Sequence, residues 1–296
     1  MCLVEVIHTR VFAVGPTGGN PCPVVLSGDD LDAHEMQTLA RKFGLDTVFI
    51  LTPRSTTADI CLRYFVPEHE MGVSGHATVA AVTVAILNGW LRSVRLKVET
   101  PSGIFTVTCS STVNNLLITL EQNEPTFGPN VPPTLLAHVL GIAVGEIVTT
   151  SSPVQLVSVS RPKLLVPLCD FGVLNKLRPN FEALSNACES LQATGLYPFT
   201  RNTDKPNADV EARQFPLRAG FPEDAATGVA AAALGAYLTK YDHHCRTGEH
   251  TFRIAQGYAM GAPSLIDVIA SCVDGMIAKT AIRGVAQITH REQVTL

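Results

Sequence analysis

The chain has 296 residues, 46% hydrophobic and 16% charged, enough apolar material for one large core or two of ordinary size and far from the composition of disordered chains. With 22 Lys and Arg against 26 Asp and Glu its formal charge is −4, and no basic run offers the footprint that nucleic acid requires, so nucleic acid is not an expected partner. The apolar stretches 77–91 and 225–238 fall short of the roughly 20 residues of a membrane span, and the opening stretch with Glu5, His8 and Arg10 resembles neither a signal nor a transit peptide, so the expected setting is the cytoplasm, away from membrane.

In chain order, the first half reads as short strands at 4–12, 23–26, 48–51, 60–65, 94–99, 104–109 and 116–120. Val94, Leu96 and Val98 alternate with Arg95, Lys97 and Glu99, the period of a strand with one wet face, and Pro101-Ser102-Gly103 turns the chain into the next. One surface helix is marked by Met36, Leu39, Ala40 and Phe43 and ends at Gly44; Leu45 and Asp46 are expected to begin the following strand. The stretch 121–133, with four prolines and two asparagines, reads as a linker and divides the chain into halves 1–122 and 123–296. The second half mixes helices at 133–140 and 181–191 with strands at 154–159, 163–166, 210–215, 252–255, 265–269 and 284–289.

A weak internal repeat carries more information. Asp59-Ile60-Cys61-Leu62-Arg63-Tyr64-Phe65 is echoed by Asp209-Val210-Glu211-Ala212-Arg213-Gln214-Phe215, and each is followed, after an acidic loop containing proline, by a helix without a charged face. These helices start near Gly75-His76 and Thr227-Gly228 and consist mostly of Ala, Val and Leu. A helix apolar all round must be enclosed, and small side chains let strands approach it closely. The expected fold is α+β: two pseudo-symmetric halves, each a curled, mostly antiparallel sheet or barrel around a central apolar helix.

If the halves are related by a pseudo-twofold axis, both helix N-termini can face one cleft between them. Their unpaired N–H groups and dipoles would then converge on an anion such as a substrate carboxylate, and Gly75 and Gly228 would let the backbone come close. Around these ends the sequence places Asn20, Asp46, His76 and Glu223-Asp224. Taken singly, each aspartate reads equally well as a turn residue or helix cap; together they favour a site.

Gly19-Asn20-Pro21, Asp46-Thr47-Val48-Phe49, Arg63-Tyr64-Phe65-Val66-Pro67, Glu70, Gly75-His76-Ala77-Thr78, Glu223-Asp224-Ala225-Ala226-Thr227-Gly228, Ala255-Gln256-Gly257 and Gly261-Ala262-Pro263-Ser264 follow one another in an order that resembles the PhzF (phenazine biosynthesis-like) family over nearly the whole chain. The resemblance implies a diaminopimelate-epimerase-like fold, usually homodimeric, and an isomerase that moves a proton on a small carboxylic-acid substrate by carboxylate acid/base chemistry without a cofactor. In that family a glutamate carries the proton, and Asp46 occupies its position, shorter by one methylene or about 1.5 Å. His76 and Asp224 match further polar catalytic positions, while Asn20, Ser74, Gly75, Thr227 and Gly228 are the expected substrate-binding residues. Leu45 and Val229 stand where the namesake enzyme has serines, which suggests a different or less polar ligand.

Competing readings stay open at this level. Racemases and epimerases of this fold use two thiols; the matching positions are Ser74 and Ala225, which none of the eight cysteines occupies, so a one-base epimerase or racemase of an amino-acid-like substrate is the nearer alternative. A non-catalytic binding or interaction protein on the same fold is another. The scattered cysteines contain no Cys-x-x-Cys pair, and reduced thiols are expected. His243, His244, Cys245 and His250 cluster, yet adjacent histidines seldom point at one ion, and no metal is expected. Gly-x-Ser-x-Gly and Gly-rich dinucleotide loops are lacking.

Overall fold

A computed structural model describes residues 3–113, 115–242 and 244–296. Its contacts divide the chain into two units, Met1–Glu121 with Arg283–Leu296, and Gln122–Ile282. The first contains β1 (Leu3–Val11), β2 (Asn20–Val25), α1 (Ala33–Phe43), β3 (Thr47–Leu51), β4 (Ile60–Phe65), β5 (Glu70–Met71), α2 (Gly75–Leu87), β6 (Arg95–Thr100), β7 (Gly103–Ser111) and β8 (Leu116–Glu121). The second contains β9 (Thr126–Asn130), α3 (Pro133–Leu140), β10 (Gln155–Ser158), β11 (Lys163–Pro167), α4 (Phe171–Lys176), α5 (Phe181–Ser190), β12 (Gly195–Thr200), β13 (Val210–Ala212), β14 (Phe215–Pro216), α6 (Gly228–Asp242), β15 (Gly248–Gln256) and β16 (Ser264–Val273), and most of β17 (Met276–Gly284). The last strand, β18 (Ala286–Thr295), returns to the first unit.

The fold is mixed α+β, mostly sheet, and the sheet is not closed into a barrel. In the first unit β1–β2 is antiparallel, β2–β3 parallel, β3–β4 antiparallel, β4–β6 parallel and β6–β7 antiparallel. The second repeats this alternation: β10–β11 antiparallel, β11–β12 parallel, β12–β13 antiparallel, β13–β15 parallel and β15–β16 antiparallel. Matching hydrogen bonds lock both copies. Asp59 N–H donates to Lys97 O at 2.8 Å while its Oδ2 accepts from Lys97 N–H at 2.7 Å; Asp209 N–H donates to Arg253 O at 2.8 Å and its Oδ2 accepts from Arg253 N–H at 2.8 Å. The sequence repeat is therefore a structural one.

Every residue of α2 from Gly75 to Ala85 and of α6 from Gly228 to Thr239 is buried, as helices apolar all round require. Small side chains make close approach possible: a Cβ on Gly235 would lie 2.3 Å from Val268 Cγ1 of β16. The surface helix α1 has the expected apolar stripe. Asp32 and Glu35 form a reciprocal capping box at its start, and Gly44 ends it at φ 66°.

Several expectations need revision. The stretch read as a linker holds β9, which pairs antiparallel with β10. The structure adds strands β5, β12 and β17 and the short helix α4 to the expected elements, and Asp46 stands just before β3 rather than within it. The segment Arg283–Leu296 belongs by its contacts to the first unit, where β18 lies antiparallel to β1 from Leu3↔Thr295 to Val11↔Ala286. Among the described residues no helix is long and apolar enough to cross a membrane.

Candidate active site

In the first unit the chain leaves α1 at Gly44 and brings Asp46 to the edge of β3, where its side chain is buried. Ser74 is the residue before α2, with extended backbone, yet its hydroxyl makes no capping bond. Instead Ser74 Oγ donates to Asp46 Oδ2 at 3.3 Å and lies 3.4 Å from His76 Nδ1. Both ring nitrogens of His76 face this group, Nδ1 toward the Ser74 hydroxyl and Nε2 toward Asp46 Oδ2 at 3.6 Å. Asp46, Ser74 and His76 are 8%, 5% and 2% exposed, which places a compact carboxylate–hydroxyl–imidazole group out of bulk water, where its electrostatic interactions are strengthened.

Gly75 opens the helix beside this group. Asn20 begins β2, two residues before Cys22 and on the same face. Gly19, at φ 86°, makes the turn into that strand where a Cβ would meet Val11 O at 2.8 Å. Burial, and then the Asp46 carboxylate, push the Cys22 thiol well above its usual pKa and keep it protonated. A separate hollow of about 650 Å³, bordered by Arg54, Cys61, Arg63 and Glu99, includes none of Asp46, Ser74 and His76.

The second unit carries a parallel arrangement. Thr227 holds the position before Gly228 that Ser74 holds before Gly75, and Thr227 Oγ1 donates to Asp224 Oδ2. Gln256, which the sequence offers only within the Ala255-Gln256-Gly257 motif, ties the loop together. Its Nε2 donates to Asp224 O at 2.7 Å and Thr227 Oγ1 at 3.1 Å, and its Oε1 accepts from Thr227 N–H at 3.2 Å and Tyr197 Oη at 2.8 Å. Burial, then the Asp224 charge, raise the Tyr197 hydroxyl pKa far above normal, so it acts as a donor. Gly257, at φ 80°, leaves no room for a Cβ, which would fall 2.2 Å from Ala262 O and 2.7 Å from Ala225 O. Gln256 was legible only through the Ala255-Gln256-Gly257 motif.

An arginine–glutamate clamp precedes each helix. Arg63 Nε and Nη2 donate to Glu70 Oε1 and Oε2 at 2.7 and 2.8 Å, and Arg213 Nε and Nη2 to Glu223 Oε1 and Oε2 at 2.8 and 2.7 Å. Each guanidinium lies over the phenylalanine two residues on, 5.1 Å from Phe65 and 4.9 Å from Phe215. Glu223 adjoins Asp224, and Glu70 begins β5, from which the chain runs to Ser74. Of the other expected cluster, His243 lies outside the described residues, and His250 Nε2 sits 2.8 Å from Arg246 O.

The family model for phenazine biosynthesis-like proteins (PhzC–PhzF) matches residues 9–291. The chain belongs to that family. It is 34% identical over 268 residues to the uncharacterized isomerase YfhB of Bacillus subtilis (strain 168), covering 89% of each chain. It is 29% identical over 257 residues to the trans-2,3-dihydro-3-hydroxyanthranilate isomerase of Pseudomonas chlororaphis, covering 86% of each. The crystal structure of a PhzF-family phenazine biosynthesis protein from Bacillus anthracis superposes with a TM-score of 0.90 at 28% identity over 100% of both chains. The resemblance read from the motifs is borne out, and the protein is an isomerase of the PhzF family.

Proposed function

We propose that this PhzF-family isomerase moves a proton between two carbons of a small carboxylic acid, with Asp46 as the proton carrier. The observation that supports this most is the buried Asp46 carboxylate, 3.3 Å from the Ser74 hydroxyl and 3.6 Å from His76 Nε2. Ionised, Asp46 takes a proton from a substrate carbon while the C–H electron pair enters the neighbouring π system; protonated, it returns that proton to the carbon at the system's other end. His76 and Asp224 polarise the substrate group on which negative charge develops. Asn20, Ser74, Gly75, Thr227 and Gly228 bind the substrate, with backbone N–H groups at the helix starts suited to its carboxylate. This chemistry calls on no cofactor.

The aspartate is shorter than the family's glutamate, and Leu45 and Val229 replace hydroxyls, so the substrate is less polar than that named for the Pseudomonas relative or sits closer to the acid. The chain is further proposed to act as a cytoplasmic homodimer, which sedimentation and localisation of a tagged chain would check. The decisive experiment follows solvent deuterium by mass spectrometry into trans-2,3-dihydro-3-hydroxyanthranilate and related small carboxylic acids. Asp46→Asn should reduce incorporation by at least about 100-fold, the lower end of general acid–base contributions. Exchange unchanged in that variant removes Asp46 from the role, and absence of exchange in the native protein with every acid rejects proton transfer on this class of substrate.

A further inference from the structure

The pairing of β1 with β18 sets His8 directly across from His290, and Glu292 lies two residues further along β18 on the same face. The imidazoles stack with centroids 4.1 Å apart and planes 6° from parallel, and His8 Nε2 is 2.6 Å from Glu292 Oε1. One nitrogen from each histidine and one carboxylate oxygen all lie within 4.8 Å of one another, and no other trio of His, Cys, Asp or Glu among the described residues is so arranged. We propose that His8, His290 and Glu292 form a binding site for a divalent transition-metal ion of the zinc type, separate from the Asp46 group.

Two further contacts preorganise the donors. Thr289 Oγ1 donates to His8 O at 3.1 Å and lies 3.2 Å from His290 Nδ1. In the tautomer in which Nδ1–H donates to that hydroxyl, the lone pair of His290 is on Nε2 and available to a metal ion; a hydrogen bond of this kind on the far ring nitrogen is what fixes a metal-ligating histidine. Phe43 of α1 meets the His8 ring edge-on at 5.4 Å and 89°, holding it while His290 and Glu292, both exposed, have room to close the remaining distance. Imidazole nitrogen with carboxylate oxygen suits Zn2+, whose bonds of about 2.0–2.2 Å require the exposed His290 ring to swing out of the parallel stack so that the two nitrogen lone pairs converge, and three protein ligands leave a position open to water. The metal would join the last strand to the first, so a second consequence is tighter pairing of β1 and β18.

This inference does not depend on the proposed function, and its readout is binding rather than turnover. Native protein, His290→Ala, Glu292→Ala and His250→Ala are titrated with Zn2+ by calorimetry, and thermal unfolding is followed with and without the ion. The native chain and His250→Ala should bind one Zn2+ per chain and unfold at higher temperature in its presence, as any ligand of the folded state dictates. Affinity should fall by more than about tenfold in His290→Ala and Glu292→Ala, the loss of one ligand of three. Both changes lie on the exposed face of a strand, so the variants remain folded. The proposal is overturned if the native chain fails to bind Zn2+ in the micromolar range, or if both variants bind it as tightly as the native chain does.

Discussion

The two arginine–glutamate clamps provide a controlled comparison, because one pair geometry occurs twice in different surroundings. In the second unit the side chains of Arg213 and Glu223 are 9% and 12% exposed; in the first, those of Arg63 and Glu70 are 24% and 33% exposed. Arg213 Nη1 also donates to Leu174 O at 3.0 Å and Leu177 O at 3.4 Å, carbonyls at the end of α4. Arg213→Met would leave the buried Glu223 carboxylate without its counter-charge and those carbonyls without their donor, a loss worth about 3–5 kcal/mol. Arg63→Met leaves Glu70 partly in water, where the cost is nearer about 1 kcal/mol. Urea titration followed by far-ultraviolet circular dichroism gives both numbers. Arg213→Met/Glu223→Leu should recover much of the deficit, since it removes the orphaned charge as well as its partner. An Arg63→Met variant losing as much stability as Arg213→Met, or a double variant no better than the single, would refute the claim that burial decides the difference.

Three other expectations follow from the same geometry. Ser74→Ala should lower the isomerase rate by about tenfold or more through loss of a donor to the carboxylate, yet cost less than the roughly 1 kcal/mol of a lost helix cap, because this hydroxyl does not cap α2; equal losses of rate and folded fraction would contradict it. Gly235→Ala should destabilise by about 1–3 kcal/mol despite gaining about 1 kcal/mol of helix propensity, since the new methyl would strike the stiff, buried Val268; a higher melting temperature would show that β16 yields. Burial pushes the thiols of Cys109 and Cys188 up to about 11, so at pH 8 only about 0.1% of each is thiolate; iodoacetamide followed by peptide mapping should label exposed Cys169 well before either, and early labelling of Cys188 would speak against its burial.

What the sequence discloses of the fold tracks how local the cause is. The stripe of α1, the all-apolar faces of α2 and α6 and the Asp59/Asp209 repeat are patterns within one segment, and they are read correctly. The strands missed are those whose pattern is set by distant partners. Pro198 makes 195–200 look like a loop, but in β12 that residue contributes its carbonyl, which accepts from Arg213 N–H at 3.0 Å, and every side chain of the strand is buried. Pro129 disguises β9 in the same way. For β17 the local signal is a turn, since Asp274-Gly275, both left-handed at φ 50° and 78°, lead the chain tightly into it, although the strand itself lacks clean alternation. Nothing near residues 286–295 says that they will pair with residues 3–11.

The site separates in the same way into chemistry that is local and geometry that is not. Asp46, His76 and Asp224 could be singled out by residue type beside two helix starts, but Gln256 joins Tyr197, 59 positions away, to Thr227, 29 positions away, and no spacing rule reaches so far. The duplication shows what selection by residue type alone would miss. Both units place a hydroxyl immediately before the first glycine of the buried helix, and in both that hydroxyl donates to an aspartate. The aspartates, however, come from different places: Asp224 belongs to the turn running directly into α6, whereas Asp46 arrives from the end of α1, 28 positions from Ser74. The frame was copied and the acid was not. An acid supplied from a separate element can be lengthened, shortened or shifted without disturbing the helix start, which is a physical reason why an aspartate can stand at the position where the family's glutamate is expected while the surrounding clamp, hydroxyl and glycine keep their arrangement.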